Sequence, residues 1–74
     1  MEQIRMGIIG LGNMGTPHAQ NIYGGRVPGM RLAAGCDSAG SRREYAGEHF
    51  PGVSVFGDAL EMYDSGLVDA VLVA

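Results

Sequence analysis

The chain has 74 residues, 46% of them apolar and 18% charged, with a formal net charge of −3 at pH 7. That composition suits one small globular domain, excludes a disordered chain, and offers no basic footprint for nucleic acid. The single cysteine, Cys36, leaves neither a disulfide framework nor a Cys-rich metal site, and no apolar run approaches the roughly 18 residues of a membrane span. With no signal-peptide pattern at the start, a cytoplasmic protein is expected, with Cys36 a buried, reduced thiol.

After a polar start at residues 1–3, the mostly apolar, β-branched segment Ile4 to Ile9 predicts a first strand, apolar enough to lie centrally in a parallel sheet. It runs into Gly10-Leu11-Gly12-Asn13-Met14-Gly15, the G-x-G-x-x-G spacing of a dinucleotide pyrophosphate turn. Thirteen glycines in 74 residues make about 0.4 chance matches to that bare spacing, so its context carries the assignment. A strand precedes it, and Met14, His18, Ala19 and Ile22 follow at helical spacing. Gly10 permits the turn off the strand, Gly12 lets the backbone approach a pyrophosphate, and Gly15 lets helix and strand pack closely. Amides around Asn13, Met14 and Gly15 then face the phosphates at the positive end of the helix dipole. The bland alternative is a tight βα turn with no ligand.

The helix is expected over residues 14–23, with Pro17 harmless in its first turn and Gly24-Gly25 as an αL stop. A loop containing Pro28-Gly29 leads to a second strand, Met30 to Cys36. Asp37 stands at the carboxyl end of that strand, 22 residues after Gly15, where an acid accepts from the adenosine ribose hydroxyls and repels a 2′-phosphate. It favours NAD over NADP. The opposing signal is Ser38 with Arg42 and Arg43, which could together hold a phosphate, so NADP stays open. Asp37 could equally be a cap or turn residue, and the two arginines a solvated face.

Ser41 with Glu44 has capping-box spacing, and Tyr45, Ala46, His49 and Phe50 are expected on the inner face of a second helix ending at Pro51-Gly52. His49 reads as a helix-end or surface residue. Residues 53–56 form a short third strand, Asp58 with Glu61 repeats the capping-box spacing before a helix through Tyr63, and Asp64-Ser65-Gly66 ends it. Residues 68–74 form a fourth, almost wholly apolar strand with Asp69 near its start. Four strands alternating with helices predict an α/β, Rossmann-like doubly wound parallel sheet of order 3-2-1-4. The apolar fourth strand leads us to expect further chain after Ala74, with residues 1–74 the first part of a dinucleotide-binding domain. Ala74 then approaches the cofactor at the reversal between strands one and four.

The run Gly10 to Pro17 with Ala19 and Asn21 resembles the opening of 3-hydroxyisobutyrate dehydrogenases, which usually carry methionine where this chain has His18, use a shorter loop over residues 24–30, and have a different fourth strand. From end to end the chain more closely resembles the amino-terminal domain of the glucose-fructose oxidoreductase, inositol dehydrogenase and MocA family. The features in common are Ile8-Ile9-Gly10, His18, Cys36-Asp37 with Arg42 five residues on, and Val68-Asp69-Ala70-Val71. That resemblance implies an NAD(P)-dependent oxidoreductase of sugars, cyclitols or related polyols, with a second α/β domain that carries the substrate and often the oligomer interface. It further implies Gly10, Gly12, Asn13, Met14 and Gly15 at the pyrophosphate, Asp37 and Ser38 at the ribose, Arg42 on the adenine side, and Ala74 opening the next cofactor loop. The catalytic lysine of such families has no counterpart, because the chain contains no lysine. His18, on a helix expected to face the sheet, reads as a packed residue. Two other readings stay open: a non-catalytic redox-sensing or regulatory dinucleotide module, and an S-adenosylmethionine-dependent methyltransferase.

Overall fold

The computed structural model of the chain describes residues 3–12 and 15–74. Its elements are β1 (Ile4–Ile9), α1 (Gly15–Tyr23), β2 (Met30–Cys36), α2 (Gly40–His49), β3 (Ser54–Phe56), α3 (Ala59–Asp64) and β4 (Ala70–Val73). The four strands form one parallel sheet of order β3-β2-β1-β4, as the alternation of strands and helices predicts.

Helices α1 and α2 cover one face of the sheet, where Met6, Ile8, Leu11, Ala19, Ile22 and Phe50 belong to one buried cluster. Met62 of α3 covers the other face with Ala34 and Cys36. Gly7 makes the α3 contact possible, since a Cβ there would lie 3.1 Å from the Met62 sulfur and 3.0 Å from Val68. The β1–β2 register slips once, pairing Met6 with Leu32 but Gly7 with Ala34. Ala33 is thus an extra residue, and this bulge reverses the strand's alternation. Leu32 faces α1 and α2, whereas Ala34 and Cys36 face α3.

Helix α1 ends in a Schellman motif: the Arg26 N–H donates to the Asn21 carbonyl (3.0 Å) and the Gly25 N–H to that of Ile22 (3.1 Å), with Gly25 at φ 78°. Its buried stripe is Gly15, Ala19 and Ile22, leaving His18 exposed. Residue 18 lies about 100° around the helix from residue 19, which takes it off the inner face expected for it.

Helix α2 ends before Pro51-Gly52 as expected but departs from expectation at its start and in its inner face. Its N-cap is Ala39, with no side-chain cap, so Ser41 and Glu44 form no capping box. The Asp37 Oδ1 accepts the Ala39 N–H (2.8 Å), an Asx turn that starts the helix two residues early. The inner stripe is only Ala46 and Phe50, while Tyr45 and His49 lie outside, stacked with ring centroids 3.9 Å apart. In α3, Asp58 caps as expected, accepting the Leu60 N–H (3.0 Å).

Strand β4 begins at Ala70 because Asp69 is held before it. The Arg5 backbone N–H donates to Asp69 Oδ2 (2.9 Å), and its guanidinium to both carboxylate oxygens (2.8 and 3.1 Å). In return the Asp69 N–H donates to the Arg5 carbonyl (2.7 Å). This bidentate ion pair fixes the register in which Met6 meets Ala70.

Candidate dinucleotide-binding site

The carboxyl ends of β1, β2 and β4 meet at the glycine turn. The Gly10 N–H donates to the Cys36 carbonyl (2.8 Å) and the Ala74 N–H to that of Ile9 (3.0 Å), which brings Ala74 beside the turn as expected. Gly10 has φ 90°, and a Cβ on it would lie 3.1 Å from the Ala74 carbonyl oxygen. Both conditions select glycine. A Cβ on Gly15 would overlap the Gly10 carbonyl oxygen, so the close approach of α1 to β1 depends on a residue without a side chain. Asn13 and Met14 lie outside the described residues.

Gly12 lies against the flexible end of one side chain. A Cβ there would lie 3.3 Å from Arg42 Nη1, so the space at the glycine faces a guanidinium. The same Nη1 donates weakly to the Leu11 carbonyl (3.4 Å), which also accepts the Thr16 hydroxyl (2.8 Å). The Thr16 N–H donates to the Gly12 carbonyl (3.0 Å), closing the turn into α1. A cleft of about 460 Å³ opens here, lined by Gly12, Thr16, Gln20, Ser41, Arg42 and Tyr45.

Asp37 joins the turn to β2. Its Oδ2 accepts the Leu11 N–H at 2.8 Å and its Oδ1 the Ala39 N–H at 2.8 Å. The Ala39 amide first, then that of Leu11, hold the carboxyl below its ordinary value against the opposing effect of burial, with Arg42 and Arg43 adding to the depression. The group is therefore an anion at neutral pH. An ionised carboxylate offers about four acceptor positions, so two inward bonds leave capacity for a pair of ribose hydroxyls. Being a turn residue and being a ribose acceptor are compatible roles for Asp37.

The three residues suggested as a phosphate site are not assembled as one. Arg42 points to the glycine turn, whereas Arg43 Nη1 donates to the carbonyls of Asp37 and Ser38, both at 3.0 Å. Ser38 is exposed and lines a second cleft of about 350 Å³ with Gly10, Cys36, Asp37, Gly57 and Asp58. Cys36 is buried at 4% exposure, and burial, reinforced by Asp58 and Asp37, pushes its thiol up. The Leu11 amide and Thr16 escaped the sequence reading, as did the part Arg43 plays here, since its place in the sequence suggests a phosphate partner or a solvated residue. Their contacts are made with backbone groups, which leave no compositional trace.

Taken together, a glycine at positive φ, a helix beginning at a glycine, a guanidinium at the second glycine and an ionised acid beside it fit a dinucleotide's adenosine and pyrophosphate. Among the described residues, no helix is long and apolar enough to cross a membrane.

Comparison with known proteins agrees. A family model described as an oxidoreductase family with an NAD-binding Rossmann fold matches residues 4–74. The inositol 2-dehydrogenases of Rubrobacter xylanophilus and Pseudarthrobacter chlorophenolicus are 40% and 38% identical over 73 residues, which is 99% of this chain but 20% and 21% of theirs. The scyllo-inositol dehydrogenase of Lactobacillus casei, crystallised with NAD(H) and scyllo-inositol, superposes with a TM-score of 0.88 at 31% identity over 99% of this chain and 21% of that one. A probable dehydrogenase of Thermotoga maritima superposes with a TM-score of 0.86 at 34% identity, over 96% of this chain and 21% of that one. The chain thus spans about a fifth of the length of the relatives it matches. By sequence, sheet order and glycine turn alike, it belongs to the glucose-fructose oxidoreductase, inositol dehydrogenase and MocA family, of which it carries the NAD-binding Rossmann fold.

Proposed function

We propose that residues 1–74 form the amino-terminal part of the cofactor domain of an NAD-dependent polyol dehydrogenase, with cyclitols or sugars as substrates. The observation that carries this reading is the Leu11 N–H bond to Asp37 Oδ2, which sets an ionised ribose acceptor directly against the glycine turn. Gly10, Gly12, Asn13, Met14 and Gly15 take the pyrophosphate, Asp37 and Ser38 the ribose, Arg42 the adenosine side, and Ala74 the start of the next cofactor loop. NAD, when bound, supplies the hydride acceptor.

The chain's own part in the reaction is to bind and orient. The α1 N-terminus and Arg42 would neutralise phosphate charge, and Asp37 would hold the adenosine ribose through its free acceptor positions. The substrate alcohol's proton goes to a base outside these residues, because there is no lysine here and both histidines stand exposed on helix surfaces. A second domain supplies the substrate pocket and the surface for self-assembly, in a cytoplasmic enzyme. The inositol dehydrogenase relatives support the substrate class.

The direct test is calorimetric titration of NAD+ and NADP+ into the protein and its Asp37→Ala variant. NAD+ affinity should fall by about tenfold, the loss of a charged acceptor worth roughly 1.5 kcal/mol, while NADP+ affinity falls less because a repulsive charge has gone. Equal losses for both would reduce Asp37 to a turn residue and overturn the reading. Binding without turnover of any inositol or sugar by the full-length protein would favour the regulatory module instead.

A further inference from the structure

The adjacent arginines of α2 do different work, and only Arg42 faces the glycine turn. Arg43 Nη1 bridges the carbonyl oxygens of Asp37 and Ser38 at 3.0 Å each. The same guanidinium lies over Gly57, where a Cβ would come within 3.2 Å of Nη1 and 3.6 Å of Cζ. It also passes Gly40, where a Cβ would lie 3.6 Å from Nη2. Arg43 therefore bonds the β2–α2 turn while its guanidinium packs against the β3–α3 turn at Gly57, a position without a side chain. Asp37 is held at both ends: its carbonyl by Arg43, its carboxylate by the Leu11 and Ala39 amides.

We infer that Arg43 is a positioning residue for cofactor choice: it sets the direction of the Asp37 carboxylate and commits its Nη1 donors to backbone carbonyls instead of a ribose 2′-phosphate. The inference rests on the reading of Asp37 as the ribose acceptor. Both effects favour NAD. A charge-assisted bond to each carbonyl aligns the acid, and with Nη1 committed to both carbonyls the guanidinium no longer offers a phosphate its Nη1–Nη2 fork. Adjacent arginines after such an acid would otherwise signal NADP.

The test is a titration of NAD+ and NADP+ into the wild type and into Asp37→Ala, Arg43→Met, Arg43→Lys and the Asp37→Ala/Arg43→Met double variant, with melting temperatures recorded for each. Methionine keeps an unbranched apolar stem of similar reach but removes the donors. It should weaken NAD+ about tenfold and NADP+ less than about twofold, and should add less than about twofold once Asp37 is alanine, since the two act as one unit. Lysine, whose ammonium can reach both carbonyls, should restore the NAD+ preference to within about threefold of wild type. The proposal is overturned if Arg43→Met changes neither affinity, if it weakens both cofactors by the same factor, or if lysine is no better than methionine. An Asp37→Ala variant that binds NAD+ like wild type would instead remove the ribose reading beneath it.

Discussion

Replacing Gly15 with alanine should unfold the turn from within. The added Cβ would overlap the Gly10 carbonyl oxygen and lie 3.3 Å from the Ala74 Cβ, so α1 must draw away from the end of β1. That movement stretches the Thr16 N–H bond to Gly12 and loosens Ala19 and Ile22, which are 0% and 7% exposed. Forced overpacking costs about 1–3 kcal/mol and the strained hydrogen bond about 1 kcal/mol, offset by less than about 1 kcal/mol of helix propensity at a helix start. The net loss is about 2–3 kcal/mol, against roughly 4–11 kcal/mol expected for a domain of this size. In a thermal melt followed by circular dichroism, that is a fall of about 10–20 °C. Gly47 on α2 is the control. It is exposed and a Cβ there meets nothing within 4 Å, so Gly47→Ala should stabilise by about 0.5–1 kcal/mol. A Gly15→Ala protein that melts with the wild type or above it would refute the argument that close approach explains this glycine.

Gly12 should separate binding from folding. Gly12→Val displaces only the flexible end of Arg42, so the melting temperature should change by less than about 3 °C, a loss of under about 0.5 kcal/mol, while calorimetry detects no NAD+ binding. The Arg5–Asp69 pair should contribute to the acid limb of stability, modestly because both side chains are exposed. Bonds from the Arg5 side chain and backbone depress the Asp69 carboxyl to about 2, below its unfolded value, so its contribution is complete near neutral pH and disappears as pH falls from about 4 to 2. Asp37, shifted in the same direction, adds to that limb. An Asp69→Asn variant should be less stable at pH 7 and show a shallower loss on acidification, which urea melts between pH 2 and 7 would measure. Cys36 should react with a thiol reagent at the rate of unfolding, and many-fold faster in denaturant, because its thiol is buried and raised.

Much of this molecule is legible in one dimension. Runs of apolar residues, glycine spacing and the Asp58 cap are local signals, and the strand order follows from alternation with helices because right-handed crossovers leave few arrangements. The acid at the end of β2 is legible for the same reason: a parallel strand delivers its last residue to the ligand edge. Tertiary structure decided the rest. The bulge at Ala33 sorts Leu32 from Ala34 and Cys36, and no periodicity in the segment announces it, since all three are small or apolar and residues 32–36 are all buried on one face or the other. Asp37, by bonding to Ala39, moved the start of α2 and displaced Ser41 from the cap. Arg5 captured Asp69 across 64 residues and trimmed β4. Arg42 and Arg43 are identical neighbours in sequence, yet about 100° of helical rotation sends one to the glycine turn and the other into the β2–α2 turn. Side-chain bonds to distant backbone groups depend on where the fold places those groups, so they became readable only with the chain folded.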